Sequence, residues 1–489
     1  MQTITDVKNP VKRPVRVLQY GEGNFLRAFA DWKIDILNEK TDFNGNLVIV
    51  QPLKRGLGDM LNEQKGLYTT VLRGVQGGKT VEEYRTINSV EACLNPYREE
   101  DYKAYMELAG NEDLRFVFSN TTEAGIAYHE GDKLEDKPQA SFPGKVCAFL
   151  HKRFQVFEGA KDKGLIIIPC ELIDKNGDNL KRIVKQYATE WKLEEAFMRW
   201  LDEACDFCNS LVDRIVPGYP KAEAAQICEK LGYQDNLLVS AEIFHLWVIE
   251  CHKEFHEDEL PFAKAGLNVI WTDDMSFYRT RKVRILNGAH TLTVLAAYQA
   301  GLDTVQECIA DKDLVYPFMH KGIFEEIIPS MEGSKEMLEA YASDVLERFE
   351  NPFNPHQLLS ISLNSVSKFQ TRDLPSLLSY FEKNKKLPKH LVFSLAALIS
   401  FYEGTEFEGT ALKGDRNGET YLIQDSPEIL STFAGLYKNR DAALIAEKVL
   451  GNTSWWGADL TKIEGLQKKV TENLQTIWKD GMKSALSSL

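Results

Sequence analysis

The sequence predicts an α/β Rossmann-type domain with a mostly parallel sheet, followed by an all-α domain. Three observations carry this. Up to about Gly177, short apolar runs alternate with segments of helical periodicity. Those runs are apolar on both sides, as strands of a parallel sheet covered by helices on both faces are. From Lys282 onward the periodicity is almost wholly helical.

The elements follow in order. Val15-Arg-Val-Leu-Gln-Tyr20 is a β-rich run that ends in Gly21-Glu22-Gly23, and a helical pattern continues through Phe25, Phe29, Trp32 and Ile36. Residues 46–51 read as a second strand and 68–73 as a third. Residues 102–108 read as helix, 115–120 as strand, 143–156 as helix and 165–169 as strand. Alternation then fades, with one more strand-like run at 267–272. Helices are expected at 283–300, 334–349, 356–369, 391–402 and 460–482. This divides the chain into residues 1–275 and 276–489, with no internal repeat and no low-complexity linker.

Composition bounds the function. At roughly 150 residues per domain, 489 residues suggest a few domains, and 44% apolar residues suffice for packed cores. The formal charge of −14 argues against a dedicated partner of nucleic acid or anionic membrane. A small anionic substrate stays possible, because a pocket can be locally basic. No apolar run reaches the roughly 18 residues of a membrane span, and the start lacks the pattern of a signal peptide. Eight scattered cysteines suit the reduced thiols of a cytoplasm.

A strand running into Gly21-Glu22-Gly23 and then a helix is the context of a dinucleotide fingerprint. The first glycine allows the tight turn, and the second lets the backbone approach a pyrophosphate at the helix N-terminus. Leu26 stands where the third glycine would be, so a plain strand-to-helix turn is the alternative. The acidic residue expected after the second strand is absent: Gln51-Pro52 ends it, with Lys54 and Arg55 beyond. NAD and NADP both remain open on the residues alone, because those two bases read either as solvated loop charges or as partners of a 2′-phosphate. Asn120-Thr121-Thr122-Glu123 follows the strand at 115–120, at the edge of the sheet where ligands bind.

The segment from Phe277 to His290 joins the two halves, where clefts tend to form. On an α-helix, at about 100° per residue, His290 lies roughly 60° from Asn287 and 80° from Lys282. The three can therefore face one cleft. The helix start and the flanking Arg281 and Arg284 disfavour the ammonium form of Lys282, which suits a general base. Asn287 and His290 can then donate hydrogen bonds to an alkoxide or carbonyl oxygen. The alternative is a basic helix start with a buried histidine. Tyr278 and Lys282 also spell Tyr-x-x-x-Lys, but after the sheet has ended rather than inside it.

Cys205-Asp-Phe-Cys208 has no second cysteine pair at zinc spacing and reads as helical. His252 and His256 are spaced as on a zinc helix, without the His-Glu-x-x-His order and with a strongly charged flank. The cysteines read as structural thiols and the histidines as a solvated helix end, so no metal centre is expected, and no serine or cysteine nucleophile motif is present.

Together these motifs resemble the polyol-specific long-chain dehydrogenases, the family that includes mannitol dehydrogenase. The resemblance runs along essentially the whole chain. It rests on Gly21-x-Gly23-x-Phe25-x-Arg27, Thr122-Glu123, Asp213-Arg-Ile and Lys282…Asn287…His290. It implies NAD as cofactor, an active site between the two domains and no metal. Tyr20, Gly21, Glu22, Gly23, Asn24, Phe25, Leu26, Arg27 and Ala28 are then the cofactor turn, with Gln51 and Asn120 to Glu123 beside it. Lys282 is implied as general acid/base, with Asn287 and His290 polarising the reacting oxygen. The wording of the motifs is nearest to the members that interconvert altronate and tagaturonate in hexuronate catabolism. Fructuronate–mannonate interconversion or polyol oxidation are the alternatives, and a non-catalytic nucleotide sensor is the alternative of another class. The chain departs from the family at Cys170-Glu171-Leu172, where a Cys-Asp-Asn run is usual, which leaves Asn176 as the candidate replacement donor. Asp213, Arg279, Lys368 and Arg372 are the remaining substrate candidates, the three basic ones suited to a carboxylate. The sequence carries no signal for an oligomeric state.

Overall fold

Six strands form the central sheet: β1 (Val15–Tyr20), β2 (Asn46–Val50), β3 (Val90–Leu94), β4 (Phe116–Ser119), β5 (Ile166–Pro169) and β6 (Asp206–Phe207). All pair in parallel, in the order β3-β2-β1-β4-β5-β6. That is the doubly wound order, which reverses direction between β1 and β4. Successive side chains enter opposite cores: Val17, Phe116, Phe118, Ile166 and Ile168 pack on one face, and Leu18, Tyr20, Val117 and Ile167 on the other. This double burial is why the strands read as continuous apolar runs.

The computed structural model describes all 489 residues. They divide into a first unit of Met1–Gly74 with Lys79–Ser276 and a second of Phe277–Leu489 with Val75–Gly78. No helix is long and apolar enough to cross a membrane. All eight cysteines are free and buried.

Several sequence expectations are corrected in the first unit. The run at 68–73 is not the third strand of the parallel sheet. It belongs to Tyr68–Gln76, in a separate sheet with Lys79–Ile87 and Val239–Glu242. The third strand is β3. Strand–helix alternation also does not fade after Gly177: helices Asn176–Glu190 and Glu195–Glu203 are followed by strand Asn209–Asp213 and helix Ala224–Leu231. Residues 206–213 are strands rather than helix, Asn209–Asp213 pairing antiparallel with Leu246–Glu250. The segment carrying His252 and His256 is irregular, not helical.

The second unit is helical except for a three-stranded antiparallel sheet, Phe407–Glu408, Ala411–Arg416 and Glu419–Ile423, so the all-α expectation is corrected there. Its hairpin turns at Asn417-Gly418, a strong local hairpin signal. The expected helix at 356–369 is two pieces, Leu358–Ile361 and Ser365–Arg372. The helix Lys389–Phe401 is the buried axis of this unit and packs against Gly288–Gln299 and Leu466–Asp480.

That axial helix has no side-chain cap of its own. Its first N–H groups are met by the buried carboxylate of Glu326, which accepts from His390 N (2.8 and 3.0 Å) and Leu391 N (2.9 Å). His390 Nδ1 lies 2.7 Å from the same carboxylate. Glu326→Ala leaves these buried donors unpaired and is expected to cost about 3 kcal/mol or more. Thermal melts followed by circular dichroism should show the loss, with Glu326→Gln falling less because one acceptor remains.

Candidate active site

β1 delivers the chain to the carboxyl edge of the sheet at the point where strand order reverses. Gly21 sits there at φ +120°, and a Cβ on it would lie 2.8 Å from Asn120 O, so only glycine fits. Gly23 caps the short helix Asn24–Arg27, and a Cβ there would meet nothing within 4 Å. The turn is therefore tight on its inner side and open on its outer side, which is the cradle a pyrophosphate needs. Leu26, in the third-glycine position, is a buried core residue.

Beside the turn lies a cavity of about 540 Å³ lined by Phe25, Asn120, Thr122, Glu123, Leu172 and Val212. Between two of the lining residues, Asn120 and Thr122, Thr121 is held by the buried Glu171, 2% exposed. Glu171 Oε1 accepts from Thr121 N (2.9 Å) and Thr121 Oγ1 (3.0 Å), and Oε2 accepts from Ser119 Oγ (2.9 Å). Burial raises the pKa of this carboxyl, and hydrogen bonds from the Thr121 and Glu171 backbone and from the Ser119 and Thr121 hydroxyls oppose the rise. Thr122 takes φ +76°, a strained conformation for a β-branched residue, at the cavity wall.

The other residues of the turn divide by role. Tyr20 points into the core, its hydroxyl 2.7 Å from that of Tyr105. Arg27 is 1% exposed and donates to Leu237 O (2.6 Å) and Asn24 Oδ1 (2.7 Å), so it braces the turn from behind. Ala28 is buried, while Glu22 is half-buried and Asn24 exposed. Gln51 donates to Leu53 O (2.7 Å) and accepts from Gly58 N (3.1 Å), folding its own loop, and Lys54 and Arg55 stand exposed in that loop as solvated charges.

In the second unit, Lys282–Asn287 is π-helical and runs into the α-helix Gly288–Gln299. Gly288 N–H donates to Val283 O, the i→i+5 bond of a π turn. On an α-helix Lys282 and Asn287 would stand about 140° apart. The wider turn brings them closer to one line. All three of Lys282, Asn287 and His290 are half-buried. His290 packs against the tilted ring of Phe349 (4.3 Å between centroids) and meets His356 edge-on (5.4 Å).

A cluster of cations surrounds His290. Burial pushes its pKa well below the ordinary value, and His356, Arg372, Arg348 and Lys368 push the same way, which keeps the imidazole neutral at neutral pH. Lys368 and Arg372 lie one turn apart on Ser365–Arg372 and share a face. Lys368 Nζ donates to Ile361 O (2.7 Å) and Arg372 to Thr291 Oγ1 (3.4 Å). Burial lowers the pKa of both, and for Lys368 the neighbouring Arg372 adds to it. A carboxylate arriving here would relieve that repulsion. Under the helix, Asp373 is fully buried with neither oxygen hydrogen-bonded, and burial holds its carboxyl well above the usual range. Arg348 and His356 were not singled out by sequence, since isolated basic residues in helical segments give no signal.

Asn176 is corrected. It is 0% exposed, its Nδ2 donates to Pro169 O, Glu171 O and Ser210 O (3.0 Å each), and its Oδ1 accepts from Gly177 N (2.9 Å) and Ser210 N (2.8 Å). Its amide is saturated, so it cannot replace the missing donor, and Leu172 at that position lines the cavity with an apolar side chain. Asp213 is buried at a strand end beside the cavity residue Val212. Arg279 is half-buried on Ser276–Arg281.

Comparison with known proteins adds relatives to this geometry. Residues 15–263 match the mannitol dehydrogenase Rossmann domain and residues 274–478 the mannitol dehydrogenase C-terminal domain. The chain is 48% identical to the altronate oxidoreductases of Escherichia coli K12 and Shigella flexneri, over 97% of this chain and 97% of theirs. Among solved structures, a substrate-free D-sorbitol dehydrogenase superposes with a TM-score of 0.81 at 23% identity, covering 99% of this chain and 100% of that one. The Pseudomonas fluorescens mannitol 2-dehydrogenase, in ternary complex with NAD and D-mannitol, gives 0.65 at 21% identity over 98% of this chain and 94% of that one.

Gly21→Ala should force the turn away from Asn120 and weaken NADH binding more than about tenfold, roughly 1.4 kcal/mol, in a fluorescence titration. An unchanged affinity would separate the turn from the cofactor.

Proposed function

The chain belongs to the mannitol dehydrogenase family, and on that premise we propose that it interconverts D-altronate and D-tagaturonate with NAD(H), as a cytoplasmic enzyme of hexuronate catabolism. The observation that carries the substrate class is the set of cations around His290: Arg348, Lys368 and Arg372. A neutral polyol gains nothing from such a cluster, whereas a sugar-acid carboxylate is held by a guanidinium and an ammonium. The altronate chemistry of relatives 48% identical supports the same choice.

The residues fit the cofactor. The bare α-carbon of Gly21 and the open side of Gly23 leave room for a pyrophosphate, with Asn24, Phe25 and Asn120 to Glu123 beside it. When bound, NAD supplies the nicotinamide carbon that takes or gives the hydride. Lys282 takes the hydroxyl proton of the sugar acid as its carbinol carbon becomes a ketone, and returns that proton in the reductive direction. Asn287 and neutral His290 hold the reacting oxygen, His290 by the single N–H of its uncharged ring. Lys368 and Arg372 bind the carboxylate, and Arg279 assists. A metal takes no part in either transfer.

NADH oxidation measured with tagaturonate, fructuronate and fructose in parallel should be fastest on tagaturonate, and fastest turnover on fructose would sink the assignment. Lys282→Ala should lower kcat by about 10²-fold or more with NADH affinity kept. Arg372→Ala should raise KM for tagaturonate at least about tenfold while changing the KM for NADH little. Because His290 is neutral already, its own titration should leave no step in the activity profile as pH falls from 8 to 6, and a step removed by His290→Gln would contradict its depressed pKa.

A further inference from the structure

We propose that Asp206, Cys208, Cys251 and His256 form a structural binding site for a tetrahedral divalent cation, zinc by preference. One ligand atom from each lies within 4.8 Å of all the others. Cys208 Sγ and Cys251 Sγ are 3.4 Å apart, and His256 Nε2 and Asp206 Oδ2 are 3.0 Å apart. Around zinc, with about 2.3 Å to sulfur and about 2.0–2.2 Å to nitrogen or oxygen, tetrahedral ligand atoms stand roughly 3.3–3.8 Å from one another. To admit the ion, the Cys208–Cys251 and His256–Asp206 pairs would open by only a few tenths of an ångström, and the other pairs, at most 4.8 Å apart, would close by no more than about 1 Å.

The fold builds this set from two segments that sequence alone keeps apart. Asn209 pairs with Glu250 in the antiparallel ladder, which places Cys208 and Cys251 opposite each other one step beyond it. Asp206-x-Cys208 and Cys251-x₄-His256 are then two local pairs, the second within the usual spacing of zinc ligands. The backbones that carry them are fixed: Asp206 N donates to Leu165 O (2.9 Å), Cys208 N to Ile167 O (2.9 Å) and Cys251 N to Thr272 O (3.0 Å).

Two further features suit a metal rather than a packed polar core. All four side chains are at most 5% exposed, and two thiols, an imidazole and a carboxylate are the donor mixture that selects zinc. His256 also presents its other nitrogen, Nδ1, to Glu259 at 3.7 Å, and Glu259 is itself gripped by Arg115 through two bonds of 2.7 and 2.8 Å. A carboxylate behind a ligating histidine orients the ring and fixes its tautomer. A groove of about 690 Å³ that includes Asp206, His256, Arg115 and Glu259 gives the ion a way in. Four protein ligands leave no open position, so the site holds structure: it staples the irregular segment 251–268 to the sheet edge at β6.

The test uses the full chain purified under reducing conditions. Elemental analysis should find close to one zinc per chain after dialysis. Cobalt exchanged for it should give the thiolate-to-metal absorption and visible bands of a tetrahedral sulfur site. Cys208→Ser and His256→Ala should lose the zinc, whereas Cys205→Ser, which removes the other cysteine of the Cys205–Cys208 pair, should keep it. Chelation should lower the melting temperature of the parent. A parent chain that takes up neither zinc nor cobalt would overturn the site, as would zinc retained at the parent level by Cys208→Ser. Thiol counting that finds Cys208 and Cys251 joined as a disulfide in the reduced preparation would do the same. The cobalt spectrum of the unaltered chain decides the matter even if a variant fails to fold.

Discussion

Two buried side chains at the carboxyl edge of the sheet, Glu171 and Asn176, hold the arrangement of the first unit. Strands that end in a dry environment leave backbone groups that must find partners inside the protein. Asn176 joins the ends of β5, Glu171 and Ser210 through five hydrogen bonds, and Glu171 reaches across to Ser119 and Thr121 at the end of β4. The loop that lines the cavity beside the Gly21 turn is thus positioned by buried groups outside its lining. A network so fully satisfied is rigid, and removing one member strands the others.

Electrostatics follow a similar logic of place. A chain of net charge −14 concentrates Arg348, Lys368 and Arg372 around one imidazole. Each cation is partly desolvated, so each holds its neighbours' charge at a cost. That stored repulsion is useful only to an anion, whose arrival turns unfavourable pairs into favourable ones. The surrounding acidity is spread over solvated surface and serves solubility.

Much of this was readable from the residues, for reasons of period. β1, β2, β4 and β5 are buried on both faces, so their apolar runs stand out, and Gly21 marks the turn by chemistry that only glycine supplies. β3 was hidden because Val90-Glu-Ala-Cys-Leu94 mixes polar and small residues, and β6 because two residues carry no period. The hairpin at Asn417-Gly418 had a local signal that the helical surroundings outweighed. Lys282, Asn287 and His290 lie along one continuous helix, which their spacing made legible, whereas Asn176 was misjudged because a side chain's partners lie elsewhere in the chain. Cys208 and Cys251 meet only through ladder register, which no spacing along one segment reveals.

The π-helical turn at Lys282–Asn287 has a consequence for how such a site can change. A π turn is an α-helix holding one surplus residue. Substitutions leave that surplus in place, so they alter what a side chain does without altering where it points. Losing a single residue from the turn would let the helix relax to regular geometry with Lys282 and Asn287 four positions apart, about 40° round the helix, so the three residues would still face one way. An α-helix that kept every residue would instead set Lys282 about 140° from Asn287. The alignment of the three thus outlives the surplus residue, and is lost only where the turn tightens without shedding it.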